Sequence, residues 1–215
     1  MTNLLLIRHG QTDWNAAGRW QGHADIPLNE TGQAQAQALA QRLTNWQIDT
    51  LYSSDLQRAA ATAHIIGQHL GLSPILNPQW RERDLGEFEG LTSEEIQARF
   101  PHRLNGNGVI EPQQGEKFIT VRERVAAAAE TIIAQHPNQT VAIVSHGGVL
   151  FSYISHVLNI PPTHFAPFSL RGNTGLSIVQ IKEGKGPYLL LLNDTTHLDR
   201  QPDLGSLTKQ FMRQS

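Results

Sequence analysis

Apolar residues run unbroken from Leu4 to Ile7 and again from Val141 to Val144, and each run leads into a His-Gly pair. Short continuous runs of this kind read as strands buried on both faces of a parallel sheet. A third run, IDTLYSS from Ile48 to Ser54, is shorter and bounded by polar residues. The stretches between carry helical spacing. Asn29 is a plausible N-cap for ETGQAQAQALAQRL, and Ser54 or Asp55 for LQRAAATAHIIGQHLG, with Gly71 as the closing signal. Thr92 and Glu95 form a capping box ahead of SEEIQARF, which Pro101 ends. FITVRERVAAAAETIIAQ is a longer helix leading into the strand at Thr140, and GLSIVQI and YLLLLN around KEGKGP read as an edge hairpin.

Strand and helix in that alternation predict an α/β fold, three layers deep, with a mainly parallel central sheet. The stretch from Arg103 to Lys117 is rich in Gly, Pro, Asn and Gln and is read as a loop. The expected organisation is one domain over residues 1–215, with an insertion at about 91–118 shaping the substrate site.

Composition narrows the field. Of 215 residues, 39% are hydrophobic and 17% charged, enough for a sizeable core. The formal net charge of −2 argues against a general nucleic-acid surface. There are no cysteines, which excludes disulfides, zinc-thiolate sites and thiol nucleophiles. No segment approaches the ~18 apolar residues of a membrane span, and LLLI is too short for a signal peptide. A cytoplasmic protein with no membrane partner is expected.

Ligands of open α/β sheets bind at the carboxyl ends of the strands. Two central strands ending at His9 and His146 would deliver two imidazoles to one cleft. Gly10 and Gly147 would let the chain turn sharply and a ligand come close, and the helix after His146 would point free N–H groups at an anion. A lone histidine at a strand end is more often structural. Here Arg8 precedes His9, and Arg58 opens a helix after the third strand, so two planar cations are added at the same edge, suited to phosphate. A surface-type substitution of Arg58 is expected to leave folding nearly unchanged.

LIRHGQTDWN, RWQGHADIPLNETGQAQA, LYSSDLQRAAATA, RERDLGEFEG and VSHGG, in that order, together resemble the histidine phosphatase superfamily, also called phosphoglycerate mutase-like. NTGLSIVQI and THLD resemble its usual ending, so the likeness covers nearly the whole chain. The resemblance implies that His9 is the nucleophile that becomes phosphohistidine. It implies that Arg8, Arg58 and His146 clamp the phosphoryl oxygens and that Glu82 is the general acid. Asn15, Gln21, Gly22 and Gly147 fall at positions lining the substrate site. Glu87 and Glu89 are competitors for the acid role, more readily read as solvated or structural.

Such chemistry requires no cofactor, and no His-Glu-x-x-His, calcium-loop or Walker pattern points to a metal. His64, His69, His102, His136, His156 and His164 are read as structural or surface residues, and His23 and His197 as approaching the cleft. Three functions compete: a phosphomonoesterase acting on a small phosphorylated metabolite, a cofactor-dependent phosphoglycerate mutase, and a non-catalytic binding module. The intact core positions disfavour the last. The mutases of this family carry a Tyr, a Lys and an Arg pair after the general acid. This chain has Leu85 and Ser93 at the first two positions and no Arg pair between Gly90 and Lys117. A phosphatase is therefore expected, with the mutase as the alternative.

Overall fold

The structure is a computed structural model that describes residues 1–101, 111–161, 167–182 and 184–198. The loop read at 103–117 therefore falls partly outside the described residues, as do His102, His164 and the end of THLD.

Six strands form one sheet: β1 (Thr2–Arg8), β2 (Thr50–Ser53), β3 (Ile75–Leu76), β4 (Thr140–Ser145), β5 (Leu176–Lys182) and β6 (Lys185–Asp194). Their order across the sheet is β3-β2-β4-β1-β5-β6. The first four run parallel to one another, and β5 and β6 close the sheet as an antiparallel hairpin. The two aliphatic runs are neighbours, paired from Asn3↔Thr140 to Arg8↔Ser145 with 137 positions between partners.

The strands are buried on both faces because helices cover both. Leu4, Leu6, Val141 and Ile143 pack with α5 (Phe118–Gln135) and α6 (Gly147–Val157). Leu5, Ile7, Leu51, Ala142 and Val144 pack with α2 (Glu30–Leu43) and α3 (Gln57–Leu70). Alternate side chains of a strand point to opposite faces, so a continuous apolar run serves two cores at once. Each such side chain contributes roughly 1.5–3 kcal/mol when fully buried.

Capping follows the sequence closely. Asn29 accepts the Gly32 N–H at the start of α2, and Gly71 ends α3 in the left-handed conformation. The Thr92–Glu95 capping box opens α4 (Ser93–Arg99). The start of α3 differs from expectation: Leu56 is its N-cap, without a side-chain bond, and Ser54 Oγ accepts from the Leu56 N–H instead. A small third cluster, Leu85, Phe88 and Ile96 with Trp20, Leu91 and Phe100 packed against it, anchors the segment between β3 and α5.

Candidate active site

His9 lies one residue beyond β1, and the pairing with β4 continues through it: its N–H donates to the Ser145 carbonyl at 2.9 Å. Its own carbonyl is held from the other side by the Thr174 N–H at 3.2 Å and by Asn173 Nδ2 at 3.0 Å. The ring Nδ1 is 2.6 Å from the Gly10 carbonyl, which only accepts, so Nδ1 carries the hydrogen. The lone pair is thereby assigned to Nε2. His9 is 3% exposed, and burial, then Arg58 and Arg8, hold it well below the ordinary histidine value, hence neutral.

His146 lies one residue beyond β4, the neighbouring strand, and is the N-cap of α6. The two imidazole centroids are 5.1 Å apart. Arg58 Nε donates to His146 Nδ1 at 3.2 Å, which leaves His146 Nε2 as the protonated nitrogen, 2.8 Å from Ser54 Oγ. Burial, followed by Arg58, lowers His146 well below its ordinary value too.

Arg58 is fully buried on the first turn of α3. Its Nη1 and Nη2 donate to the carbonyls of Ala24 and Gly22, each at 2.8 Å. Arg8 donates through Nη1 to the Leu170 carbonyl at 3.2 Å, while its buried Nε has no partner among the described residues. A buried guanidinium with an unused donor is suited to an anion.

Glu82 reaches the same cleft from the loop after β3. Its Oε1 accepts the Arg83 N–H at 2.8 Å and its Oε2 the Gly148 N–H at 3.0 Å. The expectation that α6 offers its N–H groups to an anion is thus altered at Gly148, whose N–H goes to Glu82. The glycine expectations also change. A side chain at Gly147 would meet Arg8 Nε at an ordinary 3.5 Å, whereas one at Gly10 would sit 2.4 Å from the Gly32 carbonyl oxygen. Gly10 is required by the close passage of α2 behind the site.

Asn15 and Gln21 are joined through the Thr12 hydroxyl, at 3.2 Å and 3.0 Å, and Asn15 Oδ1 also accepts from the Thr12 N–H and from Asn173 Nδ2, each at 3.1 Å. Gly22 has a left-handed φ of 52°, which turns its carbonyl onto Arg58, and a Cβ there would collide with Glu89. Arg8, His9, Asn15, Gln21, Gly22, Arg58, Glu82 and Gly147 all line one cleft of about 380 Å³. His146 stands behind it, against His9 and Arg58.

Arg19, Trp20, Arg83, Phe118 and Gly148 also line the cleft without having been expected there, as does Leu85, noted from the sequence only for standing where the mutases have Tyr. Most belong to or adjoin the RWQGH and RERDLG motifs, the signal that marks them. His23 Nε2 bonds the Glu82 carbonyl at 2.8 Å, steadying that loop. His197 bonds Thr174 Oγ1 at 2.9 Å instead of lining the cleft. Glu87 accepts the N–H groups of Gln113 and Gln114, and Glu89 that of His23. Among the described residues no three His, Asp or Glu side chains gather as a metal site, and no helix is long and apolar enough to cross a membrane.

The sequence profile of the histidine phosphatase superfamily (branch 1) matches residues 4–195. The chain belongs to this superfamily. Phosphoserine phosphatase 1 of Hydrogenobacter thermophilus is 34% identical over 203 residues, covering 92% of this chain and 95% of that protein. The probable phosphoglycerate mutase GpmB of Yersinia pestis is 36% identical over 218 residues, covering 97% and 100%. Among solved structures, a mutant phosphoserine phosphatase from Entamoeba histolytica in complex with phosphoserine superposes with a TM-score of 0.82 at 34% identity, over 92% of this chain and 100% of that one. These likenesses agree with the phosphoglycerate mutase-like α/β fold expected from the motifs.

Proposed function

We propose that this protein is a phosphomonoesterase that hydrolyses a small phosphorylated metabolite through a phosphohistidine on His9. One observation carries the reading. A neutral, buried His9 has Nδ1 tied to the Gly10 carbonyl, so Nε2 holds its lone pair beside Arg58 and an Arg8 donor that has no partner among the described residues.

In the first half-reaction, His9 Nε2 attacks phosphorus as the ester P–O bond breaks. Arg8 and Arg58 hold the equatorial oxygens, where charge stabilisation does most of the catalytic work. His146, expected in the same clamp, instead backs Arg58, its two ring nitrogens being taken by Arg58 Nε and Ser54 Oγ. Glu82 serves as the acid that gives a proton to the departing alkoxide. In the second, the Glu82 carboxylate takes a proton from water, the oxygen attacks phosphorus, and the N–P bond breaks to release inorganic phosphate. A covalent intermediate thus divides one difficult displacement into two easier ones. Asn15, Gln21, Gly22 and Gly147 form the walls of the substrate site in this reading.

The proposal includes a single catalytic domain over residues 1–215, the segment at about 91–118 shaping its substrate cleft. It places the enzyme in the cytoplasm, acting on metabolites and not on nucleic acid, in keeping with the net charge of −2. The test is direct. His9→Ala should abolish phosphate release, and wild-type enzyme quenched during turnover should carry an acid-labile, alkali-stable phosphoryl group. Full activity in His9→Ala would refute the mechanism.

A further inference from the structure

Glycines aside, five lining side chains lie outside the proposed phosphoryl cage and the Asn15–Gln21 wall: Trp20, Leu85 and Phe118, which are apolar, and Arg19 and Arg83. Both arginines are already answered by carboxylates. Arg83 Nη2 is 2.5 Å from Glu111 Oε2, its side chain only 10% exposed, and its Nε donates to the Glu116 carbonyl at 2.6 Å. Arg19 Nη1 is 3.1 Å from Glu95 Oε2 and donates to the Gly90 carbonyl at 2.6 Å. Glu95 is in turn fixed by the capping box of α4. Among the described residues, the cleft therefore has two cations for the phosphoryl group, and beyond them two pairs that sum to no charge.

The other side chains of this outer region, among the described residues, are apolar. The Trp20 indole N–H is satisfied by Ser93 Oγ at 3.0 Å. Leu85 is anchored in the cluster with Phe88 and Ile96. The Phe118 ring meets Phe151 at 6.1 Å, and that ring meets Phe168 at 4.9 Å. A carboxylate brought here loses hydration and finds the buried Arg83 guanidinium already held by Glu111. An uncharged alkyl or aryl group gains from burial against Trp20, Leu85 and Phe118.

We infer that the cleft takes phosphomonoesters whose alcohol part is uncharged and partly apolar, in preference to phosphorylated carboxylic acids, and that Glu111 enforces this choice by neutralising Arg83. The inference rests on the phosphatase reading for its catalytic readout. Its occupant differs from the phosphoserine bound by the Entamoeba relative, so the contrast is measurable.

The experiment compares kcat/KM for 2-phenylethyl phosphate, glycerol phosphate, phosphoserine and 3-phosphoglycerate, all alkyl esters. Alongside, the same four compounds are ranked by calorimetric affinity for His9→Ala, which does not depend on turnover. The phenylethyl ester should lead 3-phosphoglycerate by about tenfold or more in both measurements, the order of one well-placed charge pair. Glu111→Gln keeps an acceptor oxygen for the Phe118 N–H and removes the charge. The ratio of 3-phosphoglycerate to phenylethyl phosphate should then rise about tenfold. A wild-type preference for the carboxylates, or a ratio unmoved by Glu111→Gln in folded protein, would overturn the inference. If no ester released phosphate, the phosphatase reading would fall, and the ranking by affinity for His9→Ala would still decide the ligand class.

Discussion

Arg58 gives three of its guanidinium donors to protein acceptors: His146 Nδ1 and the carbonyls of Gly22 and Ala24. The expectation that its loss leaves folding nearly unchanged is therefore revised, because a buried carbonyl left unpaired costs about 1–3 kcal/mol. Arg58→Ala should lower turnover by roughly 10²–10³, the usual cost of one lost oxyanion donor, and should also lower the free energy of unfolding by at least about 2 kcal/mol. Urea unfolding and kcat/KM measured on the same sample check both. Normal turnover per folded molecule would remove Arg58 from the cage. Glu82 makes a separate prediction. Proton donation is worth about 10²–10⁴-fold and matters most for a poor leaving group. Glu82→Gln should therefore depress hydrolysis of an alkyl phosphate far more than that of p-nitrophenyl phosphate, whose phenolate leaves with little help. Equal losses on the two esters would move the acid role to another group, and not to the expected competitor Glu87, which is held by the Gln113 and Gln114 N–H groups away from the cleft lining.

The ends of β1 and β4 impose their own pH behaviour. His9 and His146 are buried and neutral, each held well below the ordinary histidine value, chiefly by burial and then by Arg58. His197 is pushed down to about 4, again mainly by burial. The unfolded chain takes up protons at these positions near pH 6.5, the folded chain does not, and so stability must fall as pH drops below that value. His9 and His146 each contribute a slope of up to about 1.4 kcal/mol per pH unit. Unfolding free energy measured between pH 7.5 and 5 should therefore decline below 6.5, and less steeply in a His146→Gln variant. A flat profile over that interval would mean that the rings are protonated in the folded state. The strands themselves were legible because an unbroken aliphatic run needs helices on both faces, and that need is met. β3 was not, since Ile75 and Leu76 are two exposed edge residues with no periodicity to read.

Across the whole molecule, the fold and the cage were readable because both depend on strand ends, where sequence pattern and chemistry coincide. The outer cleft was less so. Trp20, Arg83, Leu85 and Phe118 come from loops and a helix start that carry no hydrophobic period; the motifs place the first three near the site, and three-dimensional convergence shows all four as walls. That convergence bears on phosphatase against mutase. A mutase must hold a second phosphate, yet Arg19 and Arg83 are paired with Glu95 and Glu111. Inorganic phosphate should therefore accumulate in step with the dephosphorylated alcohol. Interconversion of 3- and 2-phosphoglycerate, stimulated by bisphosphoglycerate and without phosphate release, would reverse that conclusion.

The place of β1 between β4 and β5 also sets a timetable for synthesis. The first strand off the ribosome finds its parallel neighbour only when Thr140–Ser145 emerges, and its antiparallel one only with Leu176–Lys182. At about 5–20 residues per second, that is a wait on the order of ten seconds for an aliphatic segment with nothing to pair with. Until then Arg8 and His9 stand apart from His146, so a nascent chain arrested before residue 140 should show no affinity for phosphate or vanadate. Such a delay exposes the segment to chaperones, and it ties the appearance of the anion site to the last stage of assembly, when the sheet closes around its oldest strand.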